Sequence, residues 1–325
     1  MQRKQLLGVV RALAEKPTAP FHEEAVRDEI ESQLRKCPHV KFRRDRFGNV
    51  IARYCRKTRR QARWAFAAHM DHPGWVRPKR GKRAWQFLGS VPESYRVNPK
   101  LREFGEFAMW DLPAFLLKSG QIHSRACDDL LGCAEIISLF RELEAMRAKV
   151  HCYGLFTRAE EVGFVGAIKL AQAQILPENI TILSLETSAP RGSAEAGRGP
   201  IIRVGDRIST FDGAATMELL AIAEKAGIAV QRCLLDGGTC EATAYQLYGY
   251  TCAAASITLG NYHNCAPNGI IAAEYVSVND YINMVRLCLA AVLHGEAMPD
   301  PQMALRKKIE KNARLYRAFY LSRKT

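Results

Sequence analysis

The chain has 325 residues, 48% of them hydrophobic, with 47 Lys and Arg against 33 Asp and Glu. Such a length and composition suit one large globular domain, or a domain with a smaller attachment, and exclude a disordered chain. No run approaches the roughly 18 consecutive apolar residues of a membrane helix. The first ten residues lack a signal peptide's apolar core and cleavage site, so a cytoplasmic protein is expected.

Ten cysteines contain no C-x-x-C pair, and most sit inside apolar runs, which predicts reduced thiols. The net charge of +14 is uneven. Residues 305–325 hold eight Lys/Arg against the single acid Glu310, and further basic clusters run over 35–63 and 77–83. These read first as solvated surface. Acidic substrates, near Arg77, Lys79 and Arg125, are the functional reading, and nucleic acid is not the expected partner.

In chain order, Leu6, Leu7, Val10 and Leu13, then Val26, Ile30 and Leu34, keep helical spacing and predict two helices separated at 17–20. Residues 42–54 alternate around Gly48-Asn49, which predicts two paired strand pieces. Residues 64–68 form a short buried strand ending at His69-Met70-Asp71. From 73 to 121 the character changes to short strands and turns, a small β-rich insert. Strand and helix then alternate: helix over 129–143, strand 150–156, helix 165–173, strand 180–185, helix 215–226, strand 229–234, helix 242–247, strand 252–259 and helix 277–293. That order predicts an α/β sheet covered on both faces, built from 1–72 and 122–298. A basic amphipathic helix over 299–325 follows, with Leu305, Ile309, Ala313, Tyr316 and Tyr320 along a face that needs burial.

The acids and histidines fall where chemistry would need them. His69 and Asp71 follow one strand, Asp128-Asp129 precede a helix, Glu160-Glu161 follow a second strand, Glu186 a third and His263 a fourth. Ligands of open α/β sheets bind outside the carboxyl ends of the strands. Hydrolysing an amide at neutral pH needs an activated water and a stabilised oxyanion, which two divalent ions joined by a bridging carboxylate supply. A further carboxylate must take the proton. Alone, Asp129 reads equally as a helix N-cap, and His72 as incidental or as pocket wall.

The strings Ala68-His69-Met70-Asp71, Ala126-Cys127-Asp128-Asp129 and Ala159-Glu160-Glu161-Val162-Gly163 resemble the glutamyl and deblocking aminopeptidases, the family that includes the tetrahedral aminopeptidases. Phe47-Gly48-Asn49-Val50-Ile51-Ala52, Gly197-Arg198-Gly199-Pro200, Gly237-Gly238-Thr239 and Tyr262-His263 have counterparts in the same order. The resemblance implies a three-layer α/β/α domain of the zinc-peptidase, phosphorylase/hydrolase-like type. It implies two divalent ions, zinc or alternatively cobalt or manganese, and a homo-oligomer. His69, Asp128, Glu161, Glu186 and His263 would be metal ligands, with Asp128 bridging and a cis peptide to Asp129. Asp71 would orient His69, and Glu160 would be the general base.

Three positions depart from the pattern. Glu186 stands where these aminopeptidases usually have Asp, the insert is short, and Gly238-Thr239-Cys240-Glu241 replaces a usual Gly-Thr-Asp. The longer Glu186 keeps open an alternative to the aminopeptidase, an amidohydrolase or deacylase of N-acyl amino acids or small amides. A polyanion-binding protein on a vestigial hydrolase fold would have lost ligands, and none is missing.

Overall fold

The computed structural model describes residues 2–81, 84–294 and 301–320. Residues 82–83 of the basic turn, the break at 298–300, and Arg323 and Lys324 lie outside the described residues. The chain opens with α1 (Arg3–Ala14), α2 (Glu24–Leu34), β1 (Val40–Arg44), β2 (Val50–Cys55) and β3 (Trp64–His69). Next come β4 (Gly74–Val76), β5 (Gln86–Leu88), β6 (Leu101–Glu103), β7 (Phe107–Trp110), β8 (Leu116–Lys118) and β9 (Gln121–Ser124). Then follow α3 (Leu130–Ala145), β10 (His151–Thr157), α4 (Val165–Gln172), β11 (Thr181–Ser188), β12 (Ile201–Gly205), α5 (Gly213–Lys225), β13 (Gln231–Leu234), α6 (Glu241–Leu247) and β14 (Thr251–Gly260). The last elements are β15 (Cys265–Ala266), β16 (Ile270–Ile271), β17 (Glu274–Ser277), α7 (Val278–His294), α8 (Pro301–Leu315) and α9 (Arg317–Tyr320).

Eleven strands form one sheet, in the order β1-β2-β10-β3-β11-β14-β17-β9-β8, with β12 and β13 branching from β14. Its centre, β10-β3-β11-β14, is parallel. Parallel strands covered by helices on both faces read as unbroken apolar runs, and all six residues of β3 are buried. Alternation along β3 divides the core. Trp64, Phe66 and Ala68 join a cluster with residues of α1, α2, α3, α5 and α7. Ala65 and Ala67 join another, under α4 and α6. The result is the three-layer α/β/α arrangement the sequence implied. A separate antiparallel sheet, β5-β4-β7-β6, holds a cluster of Trp75, Ala108 and Trp110. Among the described residues, no helix is long and apolar enough to cross a membrane, and the ten cysteines are unpaired.

The expectation that the C-terminal helix buries its apolar face does not hold. Helix α8 forms and touches α5, yet Leu305, Ile309 and Tyr316 are 44%, 58% and 62% exposed. Helical periodicity sets which side chains share a face; it does not supply the surface that covers them.

Candidate metal centre

The parallel strands end at one edge of the sheet, and the acids and imidazoles converge there. His69 closes β3, and Glu186 lies in β11 with its side chain on the same sheet face as Ala65 and Ala67. Asp128 sits in the turn before α3, Glu160 and Glu161 follow β10, and His263 follows β14.

Asp128 is the hub. Its Oδ1 lies 3.3 Å from His69 Nε2, and its Oδ2 lies 3.6 Å from His263 Nε2. His263 Nε2 is also 3.2 Å from Glu161 Oε1, and His69 Nε2 is 3.9 Å from both Glu186 Oε2 and Glu160 Oε2. Two ligands each about 2.0–2.1 Å from a tetrahedral ion would stand roughly 3.3 Å apart, the spacing seen around Asp128. Three groups have ligand atoms within 4.8 Å of one another: His69–Asp128–Glu186, Asp128–Glu161–His263 and His69–Glu160–Glu161. The peptide between Asp128 and Asp129 is cis.

The residues fit cations. Asp128 Oδ1, Glu161 Oε1 and Glu186 Oε1 are buried without a hydrogen-bond partner, a state that is costly unless a positive charge faces them. Burial, joined by Asp128 and opposed by His69, pushes Glu186 up to about 8. Burial also pushes Glu160 well above the carboxylate range; His69 opposes it, and Glu186, Glu161 and Asp71 add to it. Burial works against protonating His69, but Glu160, Asp128 and Asp71 outweigh it and raise its pKa well above the usual value. His263 is raised likewise, by Glu161 and Asp128 against burial. Although burial alone would raise Asp128, the His263 and His69 imidazoles that face its two oxygens hold it low. The polypeptide thus draws protons onto its imidazoles where metal ions would bring their own charge.

A layer of hydrogen bonds aims these groups. The nearer partner of His69 Nδ1 is the Asp71 carbonyl, at 3.1 Å, with the Asp71 carboxylate at 3.5 Å. That carboxylate accepts the N–H groups of Glu160 and Glu161, at 3.0 and 3.1 Å. His263 Nδ1 meets the Ser90 carbonyl at 3.0 Å. Asp129 caps α3 by accepting the Gly132 N–H.

Sequence reasoning missed two supporting residues. His72 lies 2.7 Å from the Asp128 carbonyl and 3.1 Å from Asn264 Oδ1, so it ties two site loops together. Glu274, fully buried in β17, accepts the N–H groups of Cys127, Asp128 and His263. The available signal was a lone acid in the otherwise apolar run Ile270 to Val276. The basic residues expected near a substrate lie elsewhere: Arg77 pairs with Glu103, and Arg125 is buried, donating to the Glu15 carbonyl. Arg191, Arg203 and Arg207 line the cavity of about 330 Å³ beside the acids instead.

A centre of imidazoles and carboxylates at the carboxyl edge of a helix-covered parallel sheet defines a metallohydrolase of α/β architecture. The particular family follows from the sequence: the M42 glutamyl aminopeptidase model matches residues 100–287, and the chain belongs to that family. It is a metal-dependent aminopeptidase, a hydrolase acting on peptide bonds.

Solved structures share the fold. An aminopeptidase from the archaeon Desulfurococcus kamchatkensis superposes with a TM-score of 0.75 at 21% identity, covering 92% of this chain and 96% of that one. A Pyrococcus horikoshii TET1 peptidase, which can assemble into a tetrahedron or a large octahedral shell, gives 0.72 at 20% identity over 88% and 99%. The aminopeptidase PepT of Bacillus cereus gives 0.64 at 12% identity over 90% and 98%. No curated protein sequence matches the chain.

Proposed function

We propose that the chain removes N-terminal residues from peptides at a pair of divalent ions, zinc first, with cobalt and manganese as alternatives. The observation that carries this reading is Asp128, whose two carboxylate oxygens each face a different imidazole. His69, Asp128 and Glu186 would hold one ion, and Asp128, Glu161 and His263 the other. When bound, such ions supply Lewis acidity and lower the pKa of water. Glu160, buried beside both groups, is the general base that takes the proton of the attacking water and passes it to the leaving amine. Cations beside it favour its ionised form. Asp71 fixes the Glu160-Glu161 backbone and, through its carbonyl, the tautomer of His69. Unpaired cysteines suit a cytoplasmic location, and assembly into a homo-oligomer accords with the TET1 relative.

The test is metal content together with turnover on aminoacyl and N-acyl amides, for wild type and Glu160→Ala. About two ions per chain, retained in the variant while turnover is lost, is the expected result. Preference for N-acyl amides would favour the deacylase. A chain that takes up no zinc, cobalt or manganese overturns the reading.

A further inference from the structure

We propose that α8 and α9 form a docking face for an anionic phospholipid bilayer, on which the helix lies along the surface with its apolar stripe sunk among the headgroups. The proposal is independent of the peptidase reading and of the metal centre.

A surface helix ordinarily turns its apolar stripe to the core. Helix α8 touches α5, yet its described side chains and those of α9 are all exposed, and none joins a core cluster. Leu305, Ile309 and Tyr316 stand at i, i+4 and i+11 and so share one stripe. Phe319 of α9 continues it, 87% exposed, with its ring centroid 6.4 Å from that of Tyr316. The stripe alone names no partner; the charges around it do. Residues 301–320 carry Arg306, Lys307, Lys308, Lys311, Arg314 and Arg317 against the single acid Glu310, which Arg306 meets at 2.9 Å. Among the described residues the other five cations form no ion pair. At about 100° per residue, Arg306 and Lys308 fall roughly 80° to either side of the stripe, with Lys307, Lys311 and Arg314 behind it. Cations therefore border the apolar stripe on both flanks.

That arrangement suits an interfacial helix. Apolar side chains settle at the boundary of headgroups and acyl chains, while Lys and Arg stems reach out to lipid phosphates and carboxylates. Tyr316 and Phe319 suit the same depth. The potential of an anionic leaflet extends about a Debye length, roughly 8–10 Å, so the cations behind the stripe are attracted as well. Other occupants fit less well. A second copy of this chain would set the same cations against these, on a chain of net charge +14. A nucleic-acid duplex would answer the cations through its phosphates but leave the stripe in water. A groove in an acidic protein would meet the flanking cations and leave those behind the stripe unanswered.

The experiment is co-sedimentation of the full chain with vesicles of phosphatidylcholine, alone or mixed with phosphatidylserine. We expect partition onto the mixed vesicles to exceed that onto phosphatidylcholine by roughly tenfold or more, and added salt to release the chain. Lys308→Gln and Lys311→Gln should each weaken partition about fivefold. Ile309→Ser should weaken it severalfold although it removes no charge, and Ile309→Leu, which keeps the helix and the apolar bulk, should retain it. All these side chains are exposed, so urea midpoints should match wild type. A chain that ignores the mixed vesicles overturns the proposal. So does partition that Lys308→Gln and Ile309→Ser leave unchanged, which would assign it to the basic clusters over 35–63 and 77–83. Salt-sensitive capture of a DNA duplex without partition onto vesicles would overturn it in favour of nucleic acid. An assembly that Ile309→Ser dissociates, again without partition, would overturn it in favour of a second copy.

Discussion

Removing the Glu274 carboxylate should loosen two ligand-bearing loops at once, although Glu274 faces neither the cavity nor the metal position. Its Oε2 accepts the N–H groups of Cys127 at 2.7 Å and Asp128 at 3.1 Å, and its Oε1 accepts that of His263 at 2.8 Å. All three bonds are buried, so Glu274→Ala leaves three donors without acceptors. At about 1–3 kcal/mol for each unsatisfied group, the loss is roughly 3–9 kcal/mol before relaxation. That compares with a total stability of about 5–15 kcal/mol for a typical domain. Glu274→Gln keeps one acceptor oxygen but turns an amide N–H toward the remaining donors, so its cost should be intermediate. Because the freed N–H groups belong to Asp128 and to a His263 that carries a ligand atom, metal affinity should fall about 10- to 100-fold. Urea denaturation, with and without zinc, and competition against a chromophoric chelator measure both quantities. A Glu274→Ala chain within about 1 kcal/mol of wild type, binding zinc equally well, would refute the reasoning.

Four further outcomes are expected. Chelation should lower the melting temperature, since an ion at 1,000 times its Kd contributes about 4 kcal/mol to the folded state. Binding should also expel protons from His69 and His263, whose pKa values are raised in the metal-free chain; calorimetric enthalpies that do not vary with buffer would contradict this. Glu135, in α3, is fully buried with both carboxylate oxygens unpartnered, and burial raises its pKa well above 4.5. The unfolded chain ionises it near 4.5 while the folded chain keeps it neutral, so native stability falls as pH climbs from that value toward the raised one. Glu135→Met should therefore be more stable than wild type at pH 8 by about 1 kcal/mol or more, with the gain shrinking toward pH 4; equal urea midpoints at pH 8 would count against it. Gly199 has φ +91°, and a Cβ there would collide with the Ala229 carbonyl. Gly199→Ala should cost about 2–5 kcal/mol, and an unaltered melting curve would show that the backbone can yield.

Periodicity and burial made most of the scaffold legible from the chain. The helices expected over 129–143, 165–173 and 277–293 correspond to α3, α4 and α7, and the strand over 64–68 to β3. Strands β12 and β17 were not legible. Each has only a few residues, and β17 gains its place by pairing with β14 and β9 across long sequence separations. The Gly197-Arg198-Gly199-Pro200 string was legible only as a resemblance. Its physical basis is that Asp280 accepts the N–H groups of Gly197 and Gly199, far along the chain.

At the metal centre the division is equally physical. Strand ends and the start of α3 marked His69, Asp128, Glu160, Glu161, Glu186 and His263 as candidates, and the structure gathers them because parallel strands bring their carboxyl ends to one edge. Which atoms face each other was decided only by tertiary structure. Asp128 divides its oxygens between two imidazoles, Asp71 spends its carboxylate on the Glu160-Glu161 backbone, and Glu274 and His72 bind the loops together. The same holds for the arginines. Nothing local distinguishes Arg203 from Arg125; the register of β12 against β14 turns Arg203 toward Glu186, while Arg125 is spent on the Glu15 carbonyl.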